Sequence, residues 1–442
     1  MRWELLSHPF FRYIFLSKKQ YKLSFTGKTN KVPAGCWNSI KDVEMKKTSL
    51  IMAFIAPLAI GMSASAFAKD SLLEWKSDDG TDSLKLGGVV RLNQRYEDWE
   101  GPNRGFGKLY FDIFRVDLKG KFDDAYINAS YLFQDQQKTS IEKAYVGYNL
   151  DANNSIEAGL VYKPFTIYPY PQNGWTYHIP FFLGYGNNIA PGLNWNYHDK
   201  DWDVKLGYYP QMLETNLRYS PESATYDDLA GNAFPSQKAY QNEKRNQFNT
   251  RIVRKLETDF GKQEVGVSGA IAQLHNKVTD KDGKYYAVGL HTDNNYKRFN
   301  LQSSVIHYQY DAKNPDGVNS DMTLMGNNGF TPAYFIASEG TIASLNLAYT
   351  LPVTNMGKLK AIKFYNDYSY LDKKRDDWSD SQMNTTGMMF IASPFMVWAD
   401  YTWGKNSNII GGATNSTGYT SATSPNSDKW LYRINFNIGF TF

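Results

Sequence analysis

The last thirteen residues, Trp430 to Phe442, constrain the fold more than any other stretch. Trp430, Tyr432, Ile434, Phe436, Ile438, Phe440 and Phe442 share one face, and Leu431, Arg433, Asn435, Asn437, Gly439 and Thr441 the other. Unbroken alternation of period two requires an extended backbone. One face is apolar and the chain ends without anything to cover it, so the sequence predicts that hydrocarbon does. In hydrocarbon every backbone N–H and C=O must pair within the protein, which leaves a helix or a closed barrel. An edge strand of a soluble sandwich is the weaker alternative.

Composition agrees with a barrel. The 442 residues are 42% hydrophobic and 16% aromatic, with 32 Tyr, 26 Phe and 11 Trp. The mean hydropathy of −0.52 is nevertheless too polar for a bundle of membrane helices. Strands that hide apolar residues at alternate positions reconcile the two.

Residues 45–68 read as a signal peptide. Met45-Lys46-Lys47 is the basic start, Leu50 to Met62 the apolar run, and Ala66-Phe67-Ala68 the small-residue cleavage site. Residues 1–44 precede that initiator and are expected to be an upstream extension outside the mature protein. Residues 1–68 carry ten of the 48 Lys/Arg and three of the 44 Asp/Glu, so removing them turns a net +4 into −3. The electrostatic case for nucleic-acid binding goes with them. The only cysteine, Cys36, also lies upstream, which suits a chain exported into an oxidising compartment.

Residues 69–83 read as a polar periplasmic lead-in, and residues 84–442 as the barrel. The alternating segments run 84–99, 108–122, 125–134, 140–150, 155–163, 193–198, 202–209, 247–256, 263–274, 284–292, 299–310, 341–351, 359–371, 382–391, 395–404 and 430–442. The predicted fold class is therefore all-β, a transmembrane antiparallel β-barrel of about 16 strands. Short turns at 123–124, 151–154, 199–201, 257–262, 293–298, 352–358 and 392–394 alternate with long connections containing 164–192, 210–246, 311–340 and 405–428. Short periplasmic turns on one rim and long extracellular loops on the other are the expected asymmetry. Sixteen strands enclose a lumen wide enough for an aqueous channel.

The stretch Tyr110–Phe165 carries "FRVDLKGKF", "YINASYLFQD", "KAYVGYNL" and "IEAGLVYKPF" in that order. It resembles the phosphate- and pyrophosphate-selective porin O/P family of Gram-negative outer membranes. More broadly, residues 69–442 look like a trimeric porin. The terminal Phe442 is similar to the aromatic that outer-membrane barrels present to the barrel-assembly machinery. The resemblance implies a homotrimer in outer-membrane lipid and lipopolysaccharide, passing small polar solutes by passive diffusion. It also implies a third outer loop, here Pro164–Gly192, that folds into the lumen.

Selectivity belongs to inward residues. The pattern turns Arg91, Arg95, Arg115, Lys119, Lys121, Lys143, Lys163 and Arg251 inward, against few acids, chiefly Asp117 and Glu157. A one-sided positive field would focus phosphate-like anions. Pairing of the same charges across strands would merely solvate the wall, and the two readings stand level. The loop is aromatic instead, with Tyr168, Tyr170, Trp175, Tyr177, His178, Phe181, Phe182 and Tyr185. Rings along a pore stack on sugar faces, so a carbohydrate porin with an aromatic slide is the alternative, and a cap on the barrel mouth is another.

Catalysis finds little support, and no cofactor or metal is implied. No H-E-x-x-H or G-x-S-x-G occurs. The Gly-rich 101–108 misses P-loop spacing, and Asp280-Lys281-Asp282-Gly283 reads as a hairpin turn. A barrel enzyme or adhesin is the remaining class. His307 is the one tempting catalytic histidine, although a lumen histidine in a polar wall is expected.

Overall fold

The computed structural model describes residues 73–100, 107–134, 139–211, 239–325, 334–407, 409–410 and 429–442. The upstream extension, the signal peptide, most of 101–108, and the greater part of loops 210–246 and 405–428 lie outside them.

Among the described residues nineteen strands run in the order β1 (Leu73–Lys76), β2 (Ser83–Glu97), β3 (Lys108–Phe122), β4 (Ala125–Gln134), β5 (Thr139–Asn149), β6 (Asn154–Tyr162), β7 (Ile189–His198), β8 (Trp202–Gln211), β9 (Asn242–Thr258) and β10 (Gly261–Asn276). They continue with β11 (Lys281–Tyr296), β12 (Phe299–Asp311), β13 (Met322–Met325), β14 (Tyr334–Ala337), β15 (Glu339–Pro352), β16 (Ala361–Lys373), β17 (Ser381–Ala392), β18 (Phe395–Lys405) and β19 (Leu431–Thr441). One short helix, α1 (Ile179–Phe182), lies between β6 and β7. Sixteen strands, β2 to β12 and β15 to β19, pair antiparallel with their neighbours. β12 pairs with β15 past the small β13–β14 hairpin, and β19 pairs with β2 to close the ring.

The predicted alternation is what closes it. Ile434, Phe436 and Ile438 point out, while Arg433, Asn435 and Asn437 point in and pair with Glu97, Arg95 and Asn93. On the inside of this seam Asn93 exchanges side-chain bonds with Asn435 at 2.8 and 2.9 Å. Outside, Phe442 stacks on Phe114 with ring centroids 6.0 Å apart. Phe442 and Gly88 also exchange both backbone bonds, at 2.8 and 3.1 Å.

The outward face carries a belt of exposed apolar side chains. Leu290 is 64% exposed and Ile271 60%, with Val267, Val288, Val305, Leu345 and Phe436 exposed around the same belt. An apolar ring of this extent cannot stand in water, and its polar counterpart lines the lumen. The protein is a transmembrane β-barrel. Among the described residues no helix is long and apolar enough to span a membrane.

All sixteen predicted strands are present, but several details differ. β9 begins at Asn242 and β11 extends to Tyr296, because inward polar residues such as Asp293 and Asn295 are ladder members although they read as turn. β7 begins at Ile189, ahead of its proline. Part of the lead-in is strand: β1 pairs with the foot of β2, Leu73 opposite Leu86 and Lys76 opposite Ser83. β19 ends beside Gly88, so the lower edge of β2 needs another partner, and β1 supplies it. Loop 311–340 contains the β13–β14 hairpin. Finally, the long-loop rim also has short connections at 277–280 and 374–380, so short and long do not alternate strictly. A hairpin can close tightly at either rim. The two-residue turn Asp123-Asp124 places Asp123 at φ 54°, which a short polar side chain tolerates.

Candidate functional site

The connection from β6 to β7 folds into the barrel and lies along the inner wall from β9 round to β18. No charge on the loop drives this; backbone groups do. Thr166 N–H donates to Ser268 Oγ at 2.9 Å, and Arg251 Nε donates to the Thr166 carbonyl at 2.7 Å. Asn346 Nδ2 holds the Pro171 carbonyl at 2.8 Å. The Asp367 carboxylate receives Asn173 N–H at 2.8 Å and Gly174 N–H at 2.7 Å, and Asp400 receives Thr176 N–H at 2.7 Å. A loop inside a barrel has lost water as a partner, so these wall groups must satisfy its backbone.

The second limb is an apolar anchor. Ile179, Phe181, Phe182, Leu183 and Tyr185 are buried against Tyr285, Ile306, Tyr308 and Ile342 of the wall and Tyr334 of β14. Tyr334 donates to the Phe182 carbonyl at 2.5 Å, so β14 clamps the first loop from the rim side. His178 is buried between Ser369 and Thr385, its ring nitrogens 3.0 and 2.8 Å from their hydroxyls. Burial pulls its pKa from 6.5 down to about 3, so the imidazole is neutral.

The sequence offers Tyr168, Tyr170, Trp175, Tyr177, His178 and Phe181 as the residues of a constriction. Tyr170 is exposed, and Tyr168, Trp175 and Tyr177 are half-buried. His178 and Phe181 face the wall and are buried; they hold the loop rather than line a passage. Tyr177 stacks on Phe181 with centroids 3.7 Å apart, which passes the anchorage to the exposed side. The aromatic run is thus half cap and half lining.

The basic wall is heavily paired. Arg91 Nε lies 3.1 Å from Asp112, and its guanidinium sits 4.2 Å over the Trp175 ring. Arg95 contacts Glu97 at 3.2 Å, and Arg433 forks onto the same carboxylate. Arg115 bonds Glu142 through Nη1 at 3.0 Å and Asp117 through Nε and Nη2 at 3.0 and 2.9 Å. Arg251 bonds Asp203 at 2.8 Å and is buried beneath the loop with Lys163, which donates to Gln247 at 3.2 Å. Lys143 is half-buried, 5.8 Å from the Tyr162 ring centroid, whereas Lys119 and Lys121 are exposed near the short-turn rim.

Sequence reading missed the acids. Asp112 and Glu142 sit at register shifts in β3 and β5, where an extra residue turns inward and breaks the count of two. Asp367 and Asp400 occupy ordinary inward positions, and an inward acid in a predicted polar wall was the available signal. His307 is placed differently from the expectation. It lies on the outer face, bonded to Thr341 Oγ1 at 3.1 Å and beside the Tyr286 ring, because inward positions on β12 are Ser304, Ile306 and Tyr308. Among the described residues no group of three or more His, Cys, Asp or Glu could hold a metal ion.

A sixteen-stranded transmembrane barrel whose third rim loop is folded inside is the class that this geometry defines. Solved structures with the same architecture include OmpF of Salmonella typhi in complex with daunomycin, at TM-score 0.54 and 12% identity over 83% of this chain and 100% of that one. OmpT, an outer membrane protein of Vibrio cholerae in a trimer form, aligns at TM-score 0.51 and 13% identity over 82% and 100%. The outer membrane channel DcaP of Acinetobacter baumannii aligns at 0.50 and 14% over 83% and 99%. These likenesses are of fold. No protein-family model and no curated protein matches the sequence.

Proposed function

We propose that the protein is an outer-membrane porin that passes small polar solutes by diffusion. One observation carries this: the loop rests against β9–β18 and leaves the charged, polar wall of β2–β8 facing the lumen. Hydrogen-bonded acids and bases on that wall can exchange with the hydration shell of a passing solute. The fold shared with the outer membrane channel DcaP and the trimeric form of OmpT supports an outer-membrane, homotrimeric placement, with Phe442 available to the barrel-assembly machinery. Outer-membrane lipid and lipopolysaccharide would cover the apolar belt.

Selectivity follows the pairing. Arg91, Arg95, Arg115 and Arg251 each meet a carboxylate, so the lumen offers alternating charges with a modest anion bias from Lys119, Lys121 and Lys143. That favours mixed polar solutes over the phosphate filter of the porin O/P family. Exposed Tyr170 with half-buried Tyr168, Trp175 and Tyr177 supports the carbohydrate reading as the second choice. A barrel enzyme would place a nucleophile beside a histidine in an open site, yet His307 meets Thr341 on the outer face, His178 is buried with Ser369 and Thr385 beneath the loop, and His275 meets Asp282 of its own hairpin.

The test is reconstitution in planar bilayers. Stable open-channel current is expected, and a folded protein that gives none defeats the reading.

A further inference from the structure

We propose that Tyr170 is the size-selecting residue of the passage: it reaches from the loop to Glu142 on the facing wall, divides the lumen, and admits single polar rings over longer oligomers. The inference rests on the porin reading and deepens it.

Two neighbouring residues carry it. The Tyr170 hydroxyl donates to Glu142 Oε1 at 3.3 Å, and Glu142 belongs to β5. The next residue, Pro171, has its carbonyl held by Asn346 of β15. Round the closed ring, β5 and β15 are eight strands apart in either direction. Residues 170 and 171 are therefore tied to opposite walls. Whatever touches both walls of a tube partitions it.

Both ends of the strut are fixed. Glu142 is buried, and its other oxygen receives Arg115 Nη1 at 3.0 Å. Arg115 forks onto Asp117, which also accepts Ser130 Oγ at 2.5 Å. At the loop end, Asn187 N–H donates to the Pro169 carbonyl at 2.6 Å, tying the returning limb to the outgoing one beside Tyr170. Gly186 lets the limbs touch, since a Cβ there would meet the Pro171 ring at 2.4–2.5 Å. Yet Tyr170 itself is 40% exposed, so part of its ring is open to the lumen.

The division gives each side a ring and a cation. On one side Trp175 lies over Arg91 at 4.2 Å; on the other Tyr168 lies 5.9 Å from the Lys205 ammonium. Aromatic faces suit the C–H faces of a pyranose, and paired charges suit its hydroxyls. A free ion gains little from either. On this proposal a monosaccharide-sized polyol passes on one side of the strut, whereas a bulkier oligosaccharide has to displace it.

Liposome swelling with glucose and a trisaccharide, alongside single-channel conductance, tests this in Tyr170→Ala and Tyr170→Phe. Removing the ring from the lumen is expected to raise conductance by about 1.5- to 2-fold. The trisaccharide-to-glucose rate ratio should rise with it. Tyr170→Phe keeps the ring and loses its tether, so the size cut-off should hold while open-channel noise increases. Unchanged conductance and rate ratio in the Ala variant overturn the inference; should that variant not fold, unchanged noise in the Phe variant does so. A silent but folded wild-type protein would remove the porin reading itself, a distinguishable failure.

Discussion

The Asp367 carboxylate and the Gly174 N–H meet at 2.7 Å in the middle of the barrel, on a wall position that is fully buried. Asn173 adds its backbone N–H to the same oxygen and its side-chain amide to the other, at 2.8 Å each. Three donors around one carboxylate make this wall residue the acceptor for the loop tip. Asp400, two strands further round, does the same for Thr176. The loop's path through the lumen is thus written on the wall as much as in the loop.

Asp367→Ala should free the tip. Each hydrogen bond to a charged acceptor is worth roughly 1.5–3 kcal/mol, and leaving its donors buried without a partner adds to the loss. Hydrogen exchange across 171–176 should accelerate by at least two orders of magnitude while the strands stay protected. Asp367→Asn, which keeps one acceptor oxygen, should fall between. Protection of 171–176 equal to wild type in the Ala variant would show that the tip is held by other contacts.

His178 makes the anchorage sensitive to acid. Its folded-state pKa of about 3 is depressed below the ordinary 6.5. Between those values the unfolded or released loop binds a proton that the docked loop does not, so stability is full above 6.5 and falls as pH falls towards 3. The slope is about 1.4 kcal/mol per pH unit. The protection factor at 176–182, exchange corrected for its intrinsic pH dependence, should therefore fall between pH 6.5 and 4. His178→Gln should flatten that part of the profile, isolating the imidazole from the nearby Asp367 and Asp400 carboxylates. An identical pH profile in the variant would rule the imidazole out as the sensor.

Gly88 reports on closure of the barrel. A Cβ there would overlap the Arg115 carbonyl and lie 2.8 Å from the Phe442 ring, at the point where Phe442 and Gly88 exchange backbone bonds. Gly88→Ala should reduce the yield of heat-modifiable, closed barrel several-fold in refolding, measured by the gel shift between folded and boiled protein. Phe442→Ala, which removes the stack on Phe114 but leaves the bonds, should refold with a smaller loss. Equal yields for Gly88→Ala and wild type would contradict the packing described.

The barrel was legible in the sequence because lipid and lumen impose opposite demands on successive residues. Strands such as β19 therefore announce themselves one side chain at a time. Two of the acids that neutralise the arginines were not legible for the same reason. Asp112 and Glu142 sit where a bulge breaks the period, and a count of two assigns the wrong face beyond it. The loop's role divided similarly. Its aromatic content predicted contact with something flat or apolar, but only the fold shows that Phe181, Phe182 and Tyr185 meet the wall whereas Tyr170 meets the lumen. The loop's polar partners on β9–β18 lie 85 to 224 residues away, from Arg251 and Ser268 to Asp367, Ser369 and Asp400, separations no local pattern encodes.

Removing the arginines of the β2–β3 wall tests the charge filter. In Arg91→Ala plus Arg115→Ala, the lumen loses two cations and also exposes Asp112, Asp117 and Glu142, which those guanidiniums neutralise at 2.9–3.1 Å. Under a salt gradient the reversal potential should move towards cation preference by more than two missing charges would give. The change should shrink between 0.1 and 1 M salt as the screening length falls from about 10 to 3 Å. Arg91→Ala with Asp112→Ala removes a neutral pair and should leave the potential near that of wild type. If the double arginine variant keeps the wild-type potential, the β2–β5 wall does not govern ion choice, and selectivity must reside with Lys119, Lys121 and Lys143 nearer the short-turn rim.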